Sequence, residues 1–435
     1  VIEFRFCNYN KDYQQRLGFL KVVCRVGLGA RGGPDDILDR IKSLYPAGRR
    51  PPLAGRRVED FDPKKLIRDQ RVPSWIVGFV PKTLDRLVWW AERVGLLAPS
   101  GRLSEWATIL NGIRRQPDEA SWVVDNPFVL SIEERAFFLQ LLFFHDQVLP
   151  HLIAHLGQYD AGSPLGVADS CILVTRSLGD LFDQIKGNSP AELNLRLELR
   201  DLLERIGRQY KIDDPRQLVN TETRRDALKL LVGDRVRGIR VRLAEYHAIS
   251  RFEQLVDMGF LTKEDPNRPP QDEASREKAR TSWTCYVTPG LPAAARILTP
   301  LVADLESFLH NSWLRFAATG LGHKTRTLDA FKDQRQIAEL LDQTLPIARR
   351  QLGPVQVHTW ASLSCLRALD QGCLLELSTV ERLLEAMRAD PHTSDSVRLS
   401  GRAELRGRTA AISHSGLHVL LKDHTVVEGD HHVKN

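Results

Sequence analysis

The chain has 435 residues, enough for two to four domains with separate cores, and its 42% hydrophobic and 27% charged residues are ordinary for a folded soluble protein. A net charge of +6 fits a polyanionic partner without requiring one. Six cysteines (Cys7, Cys24, Cys171, Cys285, Cys365, Cys373) with no CxxC pair argue against a zinc ribbon and a secreted disulfide scaffold, so a reduced, cytoplasmic setting is expected. No stretch reaches the roughly eighteen apolar residues needed to span a bilayer, and Val1 to Asn8 lack the layout of a signal peptide, so no membrane partner is expected.

In chain order, Leu17 to Val26 run apolar and read as a strand, followed by a Gly-rich turn and a helix from about Pro34 to Leu44. Gly27-Leu-Gly-Ala-Arg-Gly32 matches GxGxxG after that strand, where a dinucleotide phosphate would meet a helix. The next helix starts only at Pro34, no alternating strand and helix series follows, and Arg31 occupies the tight turn. A flexible turn is therefore the reading, and no cofactor is expected.

A linker rich in Pro, Gly and Arg (Pro46 to Arg57) leads to a helix from Lys82 to Gly95, with Leu84, Leu87, Val88, Ala91 and Val94 as its apolar stripe. Lys82, Arg86 and Arg93 fall largely off that stripe, and Trp89 and Trp90 look exposed. Asp60, Asp62 and Lys64 lie close together, which is common in acidic loops and makes no nuclease core. Ser131 and Glu134 have capping-box spacing and open a helix through Phe137, Leu141 and Phe144 to Val148, apolar on most of its circumference and so central to a core. Helical spacing continues through Arg176 to Ile185 and Ala191 to Tyr210, with the dense charge from Glu192 to Arg208 as a solvated face.

After a polar stretch from Lys211 to Arg225, His247 to Gly259 places Ile249, Phe252, Leu255, Val256 and Met258 at helical spacing, with Gly259 as a left-handed cap. Phe260 and Leu261 can start a strand, Lys263 to Ser282 a hairpin tip, and Trp283 to Thr288 the returning strand. Ile297 to Ala318 and Asp329 to Leu352 read as two further helices joined by a cationic turn. That turn, Gly320-Leu-Gly-His-Lys-Thr325, fails as a P-loop because His323 precedes the lysine, though Lys324 and Arg326 can touch phosphate.

A helix from Val357 to Leu369 precedes another from Leu377 to Arg388, whose start is marked by Ser378 and Glu381 at capping-box spacing and whose stop is Pro391. Val397 to Ile412 then forms two strand-like runs around a turn, with Arg398, Arg402, Arg406 and Arg408 on a narrow hairpin able to meet phosphate oxygens. His414, His418, His424, His431 and His432 are ligand types without ligand geometry, so no metal is expected.

The recurring helix, apolar pair and hairpin, best seen at 247–288 and repeated with variation at 82–104 and 377–412, resembles the recognition helix and wing of tandem winged-helix DNA-binding proteins. The resemblance implies a mainly α-helical, multi-domain protein with small β-hairpins, in which two or three winged-helix-like modules are joined by helical segments. The expected divisions are an N-terminal strand, helix and linker at 1–57, a first module at 58–125, a helical domain at 126–220, a second module at 221–298, a helical connector at 299–352, and a third module with a C-terminal hairpin and tail at 353–435.

The expected function is non-catalytic DNA binding, duplex rather than single-stranded, alongside other protein subunits. The setting, by analogy from size, is a prokaryotic DNA-processing or anti-phage defence assembly. The expected contacts are Lys82, Arg86, Arg93, Arg251, Lys324, Arg326, Arg398, Arg402, Arg406 and Arg408. Two alternatives stay open: winged helices used as protein-docking surfaces in a scaffold, and an enzyme whose site is assembled from scattered residues.

Overall fold

The structure, a computed structural model, describes residues 4–7, 17–27, 35–37, 39–40, 88–98, 102–113, 130–210, 243–265, 267–268, 271–272, 275, 284–330, 332–348, 355–389 and 399–400. It is mostly helical with a few short strands. The first helix, Leu17–Gly27 (α1), replaces the strand expected there. Leu17, Leu20, Val23 and Cys24 recur every three or four residues and are all buried, which is the helical period rather than the alternation of a strand. The GxGxxG run therefore follows a helix, and its residues 28–32 lie outside the described residues.

Helical residues 88–93 and the turn after them bury Val88, Ala91 and Val94, and Gly95 in that turn has a left-handed φ of +73°. Leu97 and Leu103 then form an antiparallel bridge ahead of helix Glu105–Ile113 (α2). Helix Ile132–His145 (α3) opens with the expected capping box: Glu134 N–H donates to Ser131 Oγ at 3.3 Å, and Ser131 N–H donates to Glu134 Oε2 at 2.8 Å.

α3 stops three residues short of Val148. A continuous helix would bring the ring of Pro150 against the Asp146 carbonyl, so the chain turns by 117° and restarts as Val148–Leu156 (α4), with the proline in its first turn. Among the described residues no single helix is long and apolar enough to cross a membrane.

Strand Pro164–Leu165 (β1) leads into helix Val167–Gln184 (α5) and then helix Pro190–Tyr210 (α6). Helix Leu243–Asp257 (α7) ends in a Schellman turn, where Phe260 N–H reaches Leu255 C=O at 2.9 Å across Gly259, φ +83°. Strands Leu261–Thr262 (β2) and Cys285–Val287 (β3) pair antiparallel with Leu261 opposite Val287, as the hairpin reading requires. β1 adds to the other side of β3, Leu165 opposite Cys285, giving the sheet order β1-β3-β2. Since β1 lies in 126–220 and β3 in 221–298, one sheet crosses the boundary expected at residue 220.

The single helix expected over 297–318 is three: Leu291–Leu298 (α8), Leu305–Asn311 (α9) and Trp313–Gly320 (α10). Pro300 sits in a tight 3-10 turn at Thr299–Leu301, and the Asp304 carboxylate accepts from Ser307 N–H at 3.0 Å to start α9 afresh. Strand Arg326–Thr327 (β4) follows, and then helix Gln334–Ala348 (α11), which starts five residues after the expected 329; the rest of the expected stretch, 349–352, lies outside the described residues. At the front of α11, Asp333 folds its carboxylate back onto Asp329 N–H (2.8 Å) in a turn.

Strand Val355–Gln356 (β5), helix Val357–Asp370 (α12), strand Cys373–Leu374 (β6), helix Leu377–Ala389 (α13) and strand Leu399–Ser400 (β7) complete the described chain. β4 pairs in parallel with β6, and β5 with β7, so β7 is engaged by β5 rather than seen in the expected hairpin, whose return strand lies outside the described residues. The capping box expected at α13 does not form: Ser378 Oγ bonds Asn311 Oδ1 at 2.6 Å, and Glu381 binds histidines. α12 packs on α2, α3, α11 and α13, and one apolar core runs from Cys7 to Leu384 through every segment expected to be a separate module.

Candidate functional site

In a winged-helix protein that reads DNA, the helix before the hairpin presents side chains to the major groove. The helix in that place, α7, buries eleven of its fifteen residues, including Glu245, His247, Ser250, Arg251, Glu253 and Gln254 on the faces that the apolar spacing leaves polar. α5 packs along it, with α1 and α6 also in contact.

Arg251, expected to touch DNA, is fully buried, and this corrects that expectation. Its Nη2 donates to Asp146 Oδ1 at 2.8 Å and to Cys7 C=O at 3.0 Å, while Nη1 donates to His247 Nδ1 at 3.1 Å and His247 C=O at 3.2 Å. A guanidinium that has lost its water needs such partners, and these leave it no path to a phosphate. Burial, with the Arg251 charge beside it, pushes His247 well below the ordinary histidine range, so it is neutral and accepts through Nδ1.

The same corner holds the N-terminal segment 4–7. Gln147 N–H donates to Arg5 C=O at 3.0 Å, Arg5 N–H to Gln147 Oε1 at 3.3 Å, and Cys7 N–H to Asp146 Oδ1 at 3.3 Å. Asp146 and Gln147, which belong to neither helix because of the break before Pro150, thereby tie residues 4–7, α3, α4 and α7 together.

The other expected contacts are dispersed. Arg93 is exposed and lies 5.0 Å over the Trp89 ring. Trp89 is 36% exposed, whereas Trp90 is buried, because neighbours on a helix point about 100° apart and cannot share a face. Lys324 is exposed on the turn after α10, and Arg326 beside it donates to Asp333 Oδ1 at 2.8 Å and Gln336 Oε1 at 2.7 Å. Of the four that are described, only Lys324 and Arg326 lie together, on one turn. Lys82, Arg86, Arg398, Arg402, Arg406 and Arg408 lie outside the described residues, as do Asp60, Asp62, Lys64 and the C-terminal histidines.

Two polar clusters escape the sequence reading, since each joins side chains of separate helices. Glu381 on α13 accepts from His358 Nδ1 at 3.0 Å and faces His310 Nε2 at 3.3 Å. The other ring nitrogen of His310 donates to Glu306 C=O at 2.7 Å. With both nitrogens donating, His310 is an imidazolium, raised to about 9 first by its hydrogen bond to Glu381. Burial alone would raise the Glu381 carboxyl, but its bonds to His310 and His358 outweigh that and hold it at about 2. In the second cluster, His151 bonds Gln184 at 2.9 Å and His155 bonds Asp180, lacing α4 to α5. Among the described residues, no three His, Cys, Asp or Glu side chains converge as metal ligands.

No known protein family, curated protein or solved structure matches the chain.

Proposed function

We propose that the chain is a non-catalytic assembly subunit whose winged-helix-like unit serves to dock and pack protein rather than to read DNA. The sheet order β1-β3-β2 supports the winged-helix part of this reading, since in that fold the strand following the first helix lies beside the last strand of the wing. The observation that carries the docking part is the burial of α7, with Arg251 locked to Asp146. The hairpin tip carries no net charge to favour phosphate: in residues 263–282, Lys263, Arg268, Arg276, Lys278 and Arg280 are equalled in number by Glu264, Asp265, Asp272, Glu273 and Glu277, and Lys263 is ion-paired to Glu253 at its base.

The test is fluorescence anisotropy of a labelled duplex with the full chain between about 50 and 200 mM salt, a range over which phosphate-driven binding falls steeply. Little affinity and a shallow salt dependence are expected. Tight binding with a steep salt slope would overturn the reading.

A second reading, DNA binding within a prokaryotic DNA-processing or anti-phage defence assembly, is favoured by exposed Lys324 and by the density of arginine at 398–408. Under it, replacing Arg402, Arg406 and Arg408 together by Ala weakens binding to all sequences alike. It also flattens the slope of log affinity against log salt by up to about 0.9 for each phosphate left without its arginine.

A further inference from the structure

Residues 4–7, helical residues 88–93 and the first turns of α6 enclose an open groove with Phe4, Phe6, Trp89 and Leu195 among its apolar walls. We infer that this groove takes an extended segment of a partner protein, laid beside residues 4–7 with an apolar side chain against Trp89 and an acidic one at Arg93; this rests on the docking reading and gives it a surface.

Three observations lead there. Arg5 and Cys7, two residues apart, both turn their main chains to the Asp146–Gln147 corner, the alternation of an extended strand. Among the described residues, Phe6 between them makes no hydrogen bond with its own N–H or C=O, so the segment has a paired edge and an open one. An open edge beside side-chain pockets is how a strand is added from another chain.

Second, two groove-lining side chains hold buried nitrogens that bond nothing among the described residues: Trp90 Nε1 and His145 Nε2, on residues 1% and 6% exposed. His145, held down to about 4 by burial and by Arg5, is neutral. Its Nδ1 faces Arg5 Nη1 at 3.5 Å and can only accept there, which leaves the proton on Nε2. Buried donors of this kind are rare; both lie behind the groove surface, His145 Nε2 against Gly95, so a bound carbonyl reaches them only when the wall of the groove shifts.

Third, the charge of the lining is mixed: Arg5 and Arg93 stand with Glu92 and Glu198. A nucleic-acid strand would meet both carboxylates, whereas a peptide can match each sign. Arg93 is exposed, with its guanidinium 5.0 Å over the ring of Trp89, itself 36% exposed, and a planar guanidinium suits a carboxylate.

The test is selection of linear peptides from a random displayed library on the full chain, with a parallel selection on Trp89→Ala and binding followed by tryptophan fluorescence. Peptides enriched on the parent alone are expected. They should lose at least tenfold in affinity for Trp89→Ala and for Asn194→Trp, which fills the groove from the exposed side of α6, and both variants should melt with the parent. In the complex, the Phe6 amide should become protected from hydrogen exchange. Selected peptides that bind both variants as they bind the parent would overturn the inference. So would a selection that enriches none, or an oligothymidylate that quenches Trp89 and fails to bind Trp89→Ala. Steep duplex binding together with peptide capture removes the docking-subunit reading and leaves the groove, so the two failures differ.

Discussion

Asp146 with Arg251, and Glu381 with His310 and His358, are both carboxylates that join elements far apart in sequence, and they differ in access to water. The first pair is wholly buried; in the second, Glu381 is 21% exposed and His310 37%. The dry pair does not stabilise by attraction alone, because desolvation offsets much of the Coulomb energy, but either half left alone is a stranded charge. The wetter cluster is weaker and can titrate. One fixes the interior; the other responds to pH.

The sharpest way to break this comparison is Asp146→Ala, which takes the carboxylate away from the buried Arg251 guanidinium and from Cys7 N–H. A loss of about 3–5 kcal/mol in urea unfolding is expected, and a midpoint equal to the parent's would show that water reaches this corner. Next is Phe252→Ala on the apolar side of the same helix, 3% exposed in the parent, with an expected loss of about 2–5 kcal/mol. An overlay with the parent curve would mean that α7 is not the fixed interior element the comparison requires.

Glu381→Gln is expected to lose about 1 kcal/mol at neutral pH, the value of a charge-assisted bond reduced for the exposure of its partner. Its pH dependence is more telling. His310, raised from 6.5 to about 9, contributes fully below 6.5 and loses that contribution as pH rises through 9. Glu381, lowered from 4.5 to about 2, contributes above 4.5 and loses it as pH falls through 2. The cluster is therefore at full strength between about 4.5 and 6.5, and Glu381→Gln should flatten the fall in stability between pH 7 and 9. An alkaline limb unchanged in the variant would remove His310 as its source. The smallest effect is expected at Arg326, whose pairing with Asp333 is open to water: Arg326→Ala should leave the urea midpoint where it was.

Much of the local structure was legible because local rules decide it. The Ser131 and Glu134 cap, the left-handed Gly259, and the pairing of Leu261 with Val287 follow from neighbouring residues. The α1 residues were misread because an apolar run fits a strand and a buried helix alike. The break at 146–147 depends on Pro150, four residues ahead of the carbonyl it would strike. Arg251 looked available because its helix is amphipathic in isolation, and its partners Asp146 and Cys7 are 105 and 244 residues away. The Ser378 and Glu381 spacing was a true cap pattern drawn off by Asn311 and two histidines of other helices. Those long-range contacts also explain why the groove was invisible: Trp89, Trp90 and Arg93 drew notice, but nothing local places residues 4–7 and α6 beside them.

All six cysteines are free and buried, and burial pushes the Cys365 thiol well above its ordinary value. Since alkylation requires an accessible thiolate, the chain carries its own clocks for local opening, spread from residue 7 to residue 373. Under a pulse of iodoacetamide, Cys7 should react with the lifting of residues 4–7 from the Asp146 corner, ahead of Cys171 and Cys365, which lie inside long helices. The order of labelling, read by mass spectrometry, would therefore rank how readily each part of the fold comes apart while the rest holds.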